Sequence, residues 1–368
     1  MRIAYYVHHQ GQGHRRRATA VARALTLPVT GLGSGPAPEG WPGDWVELAR
    51  DDDPAVEDPA LADVSAGETL HWVPRHHPGL LQRQWQIVDR LARERPALLV
   101  VDVSVEVALL ARLCGIPVVV GAMPGDRTDS VHALAYDAAE ALLAPWPYAA
   151  HPDTGWHADW WEKTWHVGGI SALASLTGRP AAPSREVGAA GDSGATGTDR
   201  RSAAGHADRG DRRVLVLWGQ GGDPLSPDDI ERARATTPGW EWTVCGGGFP
   251  PAADLPAELA AADVVVTHAG QGSVADVAWA RRPAVVLAQP RPYEEQDATV
   301  HALDRLGLAA VGYGWPREHR WPELLERALG RGGDGWSVWG ADGAMHAAAR
   351  LEDLARRLGP ADVQRRAS

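Results

Sequence analysis

Short apolar runs alternate with longer amphipathic stretches along most of the chain. In the first half this pattern predicts strands and helices in turn, with strands over 2–7, 98–103 and 116–120 and helices over 15–25, 80–93, 105–113 and 131–143. The second half repeats it, with strands over 214–218, 242–245, 263–267 and 284–288 and helices over 274–280, 299–306 and 344–358. Alternation of this kind predicts parallel sheets that helices cover on both faces.

The pattern stops between residues 171 and 212, where Gly, Ala, Ser, Asp and Arg predominate. Such a composition cannot bury enough apolar surface to offset chain entropy, so we predict a flexible, low-complexity linker over 171–212. The chain is therefore expected to be an α/β protein with two Rossmann-like parallel-sheet domains, residues 1–170 and 213–345. Ligands of such sheets bind beyond the carboxyl ends of the strands, which predicts a site in the cleft between the domains.

Composition narrows the class of protein. With 368 residues, 44% of them hydrophobic, the chain can form two cores, and its net charge of -11 argues against a nucleic-acid interface. Its two cysteines, Cys114 and Cys245, lie far apart, which argues against a disulfide scaffold or a structural zinc site. The sequence begins in a strand and has no apolar run of about 18 residues, so we expect a cytoplasmic protein.

A glycine-containing turn in the second half carries the strongest chemical signal. It joins a strand to a helix through His268, Gly270, Gln271, Gly272 and Ser273. Unpaired N–H groups and the helix dipole at such a turn suit an anion such as a diphosphate. Asp276 follows, on what we expect to be the first helical turn, where its carboxylate could reach the hydroxyls of a sugar.

A second turn, Gly11-Gln-Gly-His14, follows the first strand. It is a poor dinucleotide fingerprint, because Arg16 occupies the third glycine position and no acidic residue follows at the ribose position. His14 is a candidate general base, and the alternative is a plain turn with a surface histidine. Gly11, Gly13 and Arg17 are candidates for phosphate or acceptor contacts.

Three further groups complete the set of candidates. Asp102 ends an apolar strand, where it could orient a histidine or cap the next helix, and both readings stay open. Gly219, Gln220 and Gly221 follow another strand and are further candidates for phosphate or acceptor contacts. Four tryptophans recur at near-helical spacing, and core packing, cover over the interdomain face and stacking on a ligand all stay open: Trp156, Trp160, Trp161 and Trp165.

With both turns considered, the chain resembles glycosyltransferases of the GT-B fold, in particular the MurG-like enzymes of family 28 and the related family 1. Residues 267–276 resemble the H-x-G-x-[GN]-[ST]-x-x-E donor motif of these enzymes. Glu295-Gln296 resembles their acidic–Gln pair, and Gly11-Gln-Gly-His14 resembles their first glycine turn.

The resemblance implies a role for each matching residue. His268 and the 270–273 amides would hold the diphosphate of a nucleotide-sugar, and Asp276, where the family more often has Glu, would bind ribose. Glu295 and Gln296 would bind the donor sugar. His14 would take a proton from the acceptor hydroxyl, and Asp102 would orient it. The helix over 346–368 would pack back on the first domain.

The function implied is an inverting glycosyl transfer from a nucleoside-diphosphate sugar, with uridine diphosphate favoured, that needs neither a metal nor a cofactor. The acceptor stays open among lipid, sugar, peptide and natural product, and loops around 30–80 and 122–130 are expected to bind it. The resemblance also leaves open peripheral contact with the inner face of a membrane. A nucleotide-sugar 2-epimerase and a non-catalytic nucleotide-sugar-binding protein are the alternatives.

Overall fold

A computed structural model of the chain describes residues 1–9, 11–151, 155–175, 212–219 and 223–359. The first sheet is formed by β1 (Ile3–Tyr6), β2 (Val29–Ser34), β3 (Asp44–Leu48), β4 (Leu98–Val101), β5 (Val118–Gly121), β6 (Ala141–Ala144) and β7 (Thr164–His166). All its strands are parallel, in the order β3-β2-β1-β4-β5-β6-β7. The order reverses beside β1, so the strand ends at β1 and β4 border a crevice.

The helices of this sheet are α1 (Gln12–Ala24), α2 (Pro78–Glu94), α3 (Val105–Leu113), α4 (Ser130–Ala138) and α5 (Ala158–Glu162). Three of these helices have an N-cap residue whose side chain accepts a hydrogen bond from a backbone N–H group. The N-caps are His77 before α2, Ser104 before α3 and Asp129 before α4. Because helices cover both faces, β1 and β4 are buried along their whole length.

The second sheet is formed by β8 (Arg212–Trp218), β9 (Trp240–Gly246), β10 (Val264–His268), β11 (Ala284–Ala288) and β12 (Ala310–Tyr313). These strands are also parallel, in the order β12-β11-β10-β8-β9. Its helices are α6 (Pro227–Thr236), α7 (Leu255–Ala261), α8 (Gln271–Ala280), α9 (Glu295–Arg305) and α10 (Trp321–Arg331). The prediction of an α/β fold with two parallel sheets is confirmed.

The last described helix, α11 (Gly343–Leu358), packs on the first sheet unit although it follows the second in sequence. Leu351 of α11 shares a buried core with Val21 of α1. Glu352 accepts hydrogen bonds from the Thr26 backbone N–H and hydroxyl, at 2.5 and 2.8 Å. The predicted linker lies mostly outside the described residues; at its start, Ala172–Ser175 forms a short 3₁₀ turn.

Two sequence-based boundaries were wrong. The helix predicted over 131–143 is instead α4 followed by β6, because a run of Ala and Leu fits a helix and a buried strand equally well. Helix α1 begins at Gln12 rather than at residue 15, so Gly13 and His14 lie in its first turn.

Strands β2, β3 and β12 are among those that were not predicted. β2 contains Gly31 and Gly33, residues that normally weaken a strand. Here the glycines make room for Trp45 of β3, since a Cβ on Gly31 would lie 2.2 Å from that indole ring.

In the part of the chain that the structure describes, no helix is both long enough and apolar enough to cross a bilayer.

Candidate functional site

His14, in the first turn of α1, faces Asp102, the residue that follows β4. The His14 Nδ1 lies 2.6 Å from Asp102 Oδ2. A carboxylate at this distance keeps the proton on Nδ1, which leaves Nε2 free to accept one. Ser104 caps α3 by accepting the Val107 N–H, so of the two readings of Asp102 the structure supports its pairing with a histidine rather than helix capping.

Arg17, one turn further along α1, shares the same carboxylate. Its Nε and Nη2 donate to Asp102 Oδ1, at 3.1 and 2.5 Å, and its Nη2 lies 3.2 Å from His14 Nδ1. Burial alone would raise the pKa of Asp102, but Arg17 and His14 outweigh it and hold that pKa well below its usual range. The aspartate is therefore an anion that fixes the orientation of the imidazole.

Arg17 also links the two domains. Its Nη1 donates to Oε1 of Gln271, the first residue of α8. Predicted as a phosphate or acceptor contact, the guanidinium is instead nearly buried, with 11% of the side chain exposed. The Arg17 side chain therefore bridges the first residue of α8 and the Asp102 carboxylate that pairs with His14.

The amino terminus of α8 has unpaired N–H groups. Gly270 is the N-cap residue and provides no side chain to satisfy them. The Gly270 N–H itself donates to His268 Nδ1 at 3.0 Å, so the amides of Gln271, Gly272 and Ser273 are the ones that point beyond the helix. Free amides at a helix amino terminus suit an anion.

His268 is held between two glycines. A Cβ on Gly219 would lie 2.4 Å from His268 Nε2, and one on Gly270 would lie 2.4 Å from Cε1. Burial, with a smaller contribution from Arg291, lowers the pKa of His268 to about 4. Because Nδ1 accepts the Gly270 N–H, the neutral ring carries its proton on Nε2 and is a hydrogen-bond donor rather than a cation.

Asp276 lies in the second turn of α8, not in the first as predicted. Its Oδ1 accepts a 2.6 Å hydrogen bond from Ser171 Oγ, in the segment that leaves the first domain. Burial raises the pKa of Asp276 to about 6, against the opposing effects of Ser171 and Arg16. The side chain assigned to ribose thus contacts the other domain in this structure.

Glu295 and Gln296, at the start of α9, point to different places. Glu295 lies 3.2 Å from Arg127 Nη2 at the edge of the interdomain cavity. Gln296 is buried, and its Oε1 accepts the backbone N–H of Gln289 at 3.0 Å. Its carbonyl therefore holds the loop after β11, and only Glu295 of the pair faces the cavity.

A cavity of about 480 Å³ extends from His14 into the first domain. Its apolar lining residues include Val103, Val120 and Met123. Its walls carry histidines, a carboxylate and an arginine that the motifs did not single out as site residues: His9, His71, His132, Asp51 and Arg83. Residues 51–72 and 123–127 come from the loops expected to bind the acceptor, whereas His132 and Arg83 lie on helices and had no recognisable spacing.

One wall of the cavity comes from the second domain. Tyr293 stacks under the Arg127 guanidinium, 4.0 Å from the ring centre, and its hydroxyl lies 3.2 Å from His71 Nε2. Its carbonyl accepts the Asp126 N–H at 3.1 Å. Both Tyr293 and Glu294 have positive φ, 59° and 54°, so backbone strain accompanies this interdomain contact.

The remaining candidates are placed as follows. Gly11 is the N-cap residue of α1 and has φ of 90°, a conformation that favours glycine. Gly13 is exposed in the first turn of the helix. Gln220 and Gly221 lie outside the described residues. Trp156 and Trp160 pack on Tyr136 in the core, and none of the four tryptophans lines the described cavity.

Two groups of side chains in the described residues have the spacing of metal ligands, and both lie at the cavity. They are His71 with Asp129 and His132, and His9 with Asp51 and Asp52. Arg127 Nη1 lies 3.4 Å from His132 Nε2, which places a cation beside the first group.

Residues 248–328 match the glycosyltransferase family 28 C-terminal domain. Over 113 residues, the chain is 34% identical to the UDP-N-acetylglucosamine--N-acetylmuramyl-(pentapeptide) pyrophosphoryl-undecaprenol N-acetylglucosamine transferase of Methylobacterium sp. (strain 4-46). That match covers 31% of this chain and 27% of the relative, about a quarter of the relative's length.

Solved structures match over nearly the whole chain. The MurG structure from Acinetobacter baumannii has a TM-score of 0.57 at 14% identity and covers 96% of this chain and 99% of its own. The spinosyn rhamnosyltransferase SpnG, complexed with thymidine diphosphate, has a TM-score of 0.53 at 16% identity and covers 97% and 96%. These matches confirm the GT-B fold and the family 28 likeness of the second domain. The relatives are glycosyltransferases, the enzyme class predicted from the sequence.

Proposed function

We propose that the chain is a glycosyltransferase that transfers a sugar from a nucleoside-diphosphate sugar to an acceptor hydroxyl, with inversion at the anomeric carbon. One observation carries the proposal. Arg17 contacts both Asp102 and Gln271, so a histidine–aspartate pair lies one side chain from an uncapped helix terminus within the family 28 match. A general base and an anion site at that separation suit transfer from a diphosphate donor.

In this mechanism the acceptor hydroxyl lies at His14 Nε2. As its oxygen bonds to the anomeric carbon, the hydroxyl proton passes to Nε2, and the imidazolium formed is stabilised by Asp102. The bond from the anomeric carbon to the diphosphate breaks, and its electron pair leaves with the nucleoside diphosphate. Attack from the side opposite the leaving group inverts the configuration.

The second domain stabilises the leaving group. The Gln271, Gly272 and Ser273 amides and the Nε2–H of neutral His268 would donate to the diphosphate as it gains negative charge. Fixed donors aimed at developing charge account for a large part of catalysis in many enzymes. The mechanism assigns this role to protein groups and so requires no metal.

Donor recognition rests on the remaining residues of the motif. Asp276 would bind ribose hydroxyls after releasing Ser171, and Glu295 would bind the donor sugar. The Methylobacterium relative is named for a UDP-linked donor and the SpnG structure holds thymidine diphosphate. We propose a uridine diphosphate sugar as the donor, with thymidine diphosphate sugars as the comparison.

A thermal-shift panel of nucleotide-sugars tests donor binding, since a ligand that binds only the folded state raises the unfolding temperature. Release of nucleoside diphosphate, followed by chromatography, then tests transfer or hydrolysis. His14→Ala should retain the thermal shift and lose the release. Release at an unchanged rate would reject His14 as the base, and epimerised donor with no release would favour the 2-epimerase.

A further inference from the structure

Unpaired hydrogen-bond acceptors collect on one wall of the cavity. Asp51 Oδ1, Gln84 Oε1 and His9 Nδ1 are buried, and none has a hydrogen-bond partner among the described residues. All three residues line the cavity, and only 8% of the His9 side chain is exposed. Buried polar atoms are nearly always paired, so three unpaired ones on one wall indicate a ligand.

The environment of His9 decides what its free nitrogen can do. His9 Nε2 lies 3.3 Å from Asp52 Oδ2, and a carboxylate there keeps the ring proton on Nε2. With the proton on Nε2, Nδ1 is an acceptor, 3.9 Å from Asp51 Oδ1. The wall therefore presents three acceptors and requires hydrogen-bond donors.

Charged groups elsewhere in the cavity have partners within the protein. Arg127 pairs with Glu295, and Glu106 accepts the backbone N–H groups of His71 and Trp72. Arg83 donates to the Tyr6 and Ser34 hydroxyls and to the Ala49 carbonyl; its Nε lies 3.6 Å from Asp51 Oδ2. The acceptors of this cavity wall that lack a partner among the described residues are therefore Asp51 Oδ1, Gln84 Oε1 and His9 Nδ1.

We propose that His9, Asp51 and Gln84 bind a protonated amine of the acceptor, which makes the acceptor substrate an amino alcohol. An ammonium group supplies three donors and no acceptor, and its charge complements the Asp51 carboxylate. This inference rests on the proposed function, since it takes the cavity to be the acceptor site.

The position of the wall fixes how the acceptor would lie. The rings of His14, His8 and His9 form a row, with centroid separations of 5.7 and 5.0 Å. An acceptor with its hydroxyl at His14 and its amine at Asp51 would span this row. The cavity is also lined by Val103, Val120 and Met123, so an apolar or ring-shaped body between the two groups suits it.

Two matched pairs of small molecules test the amine directly. Tyramine and 4-ethylphenol share a phenol and differ in the amine, and 2-deoxystreptamine and scyllo-inositol are cyclitols with and without amines. Binding to the full chain is measured by calorimetry or ligand-observed NMR, without any sugar donor. We expect the amine member of at least one pair to bind about tenfold or more tightly than its partner.

Asp51→Asn keeps the shape and an acceptor oxygen but removes the charge, so it should abolish the preference for the amine. Asp89→Asn, on the outer face of α2, is the matched control and should keep it. Gln84→Met is a second variant, expected to weaken amine binding, should Asp51→Asn lower the unfolding temperature.

Equal binding within both pairs, or no binding of either amine at millimolar concentration, would overturn the proposal. An amine preference that survives Asp51→Asn, or an amine preference that is lost in Asp89→Asn, would overturn it as well. Stabilisation by Mg²⁺, Mn²⁺ or Zn²⁺ that disappears in Asp51→Asn would also overturn it and assign the wall to a metal. Failure of the donor panel alone would reject the glycosyltransferase and leave the amine site standing.

Discussion

Ser171 Oγ donates a 2.6 Å hydrogen bond to Asp276 Oδ1, and this bond joins the end of the first domain to the donor-motif helix. Asp276 is the residue that we assign to ribose, so donor binding has to exchange the serine hydroxyl for a sugar hydroxyl. The exchange replaces one neutral hydrogen-bond donor with another at Asp276 Oδ1. Asp276 thus couples binding of the nucleotide-sugar to the contact between domains.

Asp276→Asn should stabilise the protein above pH 6, by about 1–2 kcal/mol after allowance for partial exposure of the side chain. The folded-state pKa, about 6, is raised above the ordinary 3.8 by burial. Asp276 therefore contributes stability below pH 3.8 and loses it as the pH rises through 6. Chemical denaturation across this range should show the gain vanish at the acid end. A gain in the free energy of unfolding that is equal at every pH would contradict a buried Asp276 carboxyl group that titrates near pH 6.

Ser171→Ala should have the opposite effect. The Ser171 hydroxyl stabilises the ionised carboxylate, so its removal raises the pKa of Asp276 further. The variant should lose stability above pH 6 and match the parent chain in acid. Loss of stability that is the same at all pH values would show that Ser171 acts by packing alone.

Gly270→Ala and Gly272→Ala form a matched pair within the donor motif. A Cβ at Gly270 would lie 2.4 Å from His268 Cε1, whereas nothing lies within 4 Å of one at Gly272. Gly270→Ala should lower the free energy of unfolding by about 1–3 kcal/mol and displace His268. Gly272→Ala should leave stability unchanged or raise it by up to about 1 kcal/mol. Equal stability of the two variants would show that His268 is not confined by Gly270.

The family resemblance implied the pairing of His14 with Asp102, and the parallel sheet accounts for it, because each residue follows a strand of that sheet. Strand-end residues of neighbouring strands converge, and β1 pairs with β4. Arg17 was predicted as a ligand contact, yet its partners Asp102 and Gln271 lie 85 and 254 residues away. Spacing along a chain does not encode contacts over such separations.

The cavity walls were harder to predict for a related reason. Tyr293 crosses from the second domain to meet Arg127 and His71, and nothing in the local sequence of Tyr293 marks this contact. Strand β2 was missed because its two glycines normally weaken a strand, whereas here they accommodate Trp45 of β3. Tertiary packing overrides local propensity in both cases.

Asp102→Asn should lower the turnover number for nucleoside diphosphate release about 10²–10⁴-fold, since an amide in place of the carboxylate no longer holds the proton on His14 Nδ1. Donor affinity, measured by calorimetry, should stay near that of the parent chain because Asp102 does not contact the α8 terminus. Asp353→Asn, on the exposed face of α11, is the control and should change neither quantity. A loss of donor affinity that matches the loss of turnover would contradict the assigned role.

The contact between Arg127 and Tyr293 can be measured by a double-mutant cycle. The guanidinium lies 4.0 Å from the ring centre and is nearly buried, with 8% of the Arg127 side chain exposed. Desolvated cation–π pairs contribute about 1–2 kcal/mol, so Arg127→Met and Tyr293→Leu should couple by about that amount in the free energy of unfolding. Arg127 also pairs with Glu295, and a second cycle with Glu295→Gln separates that contribution. Additive effects of Arg127→Met and Tyr293→Leu would mean that the two domains are not held together at this contact in solution. Positive coupling would show that Tyr293 of the second domain and Arg127 of the first hold the two domains together at this wall of the cavity in solution.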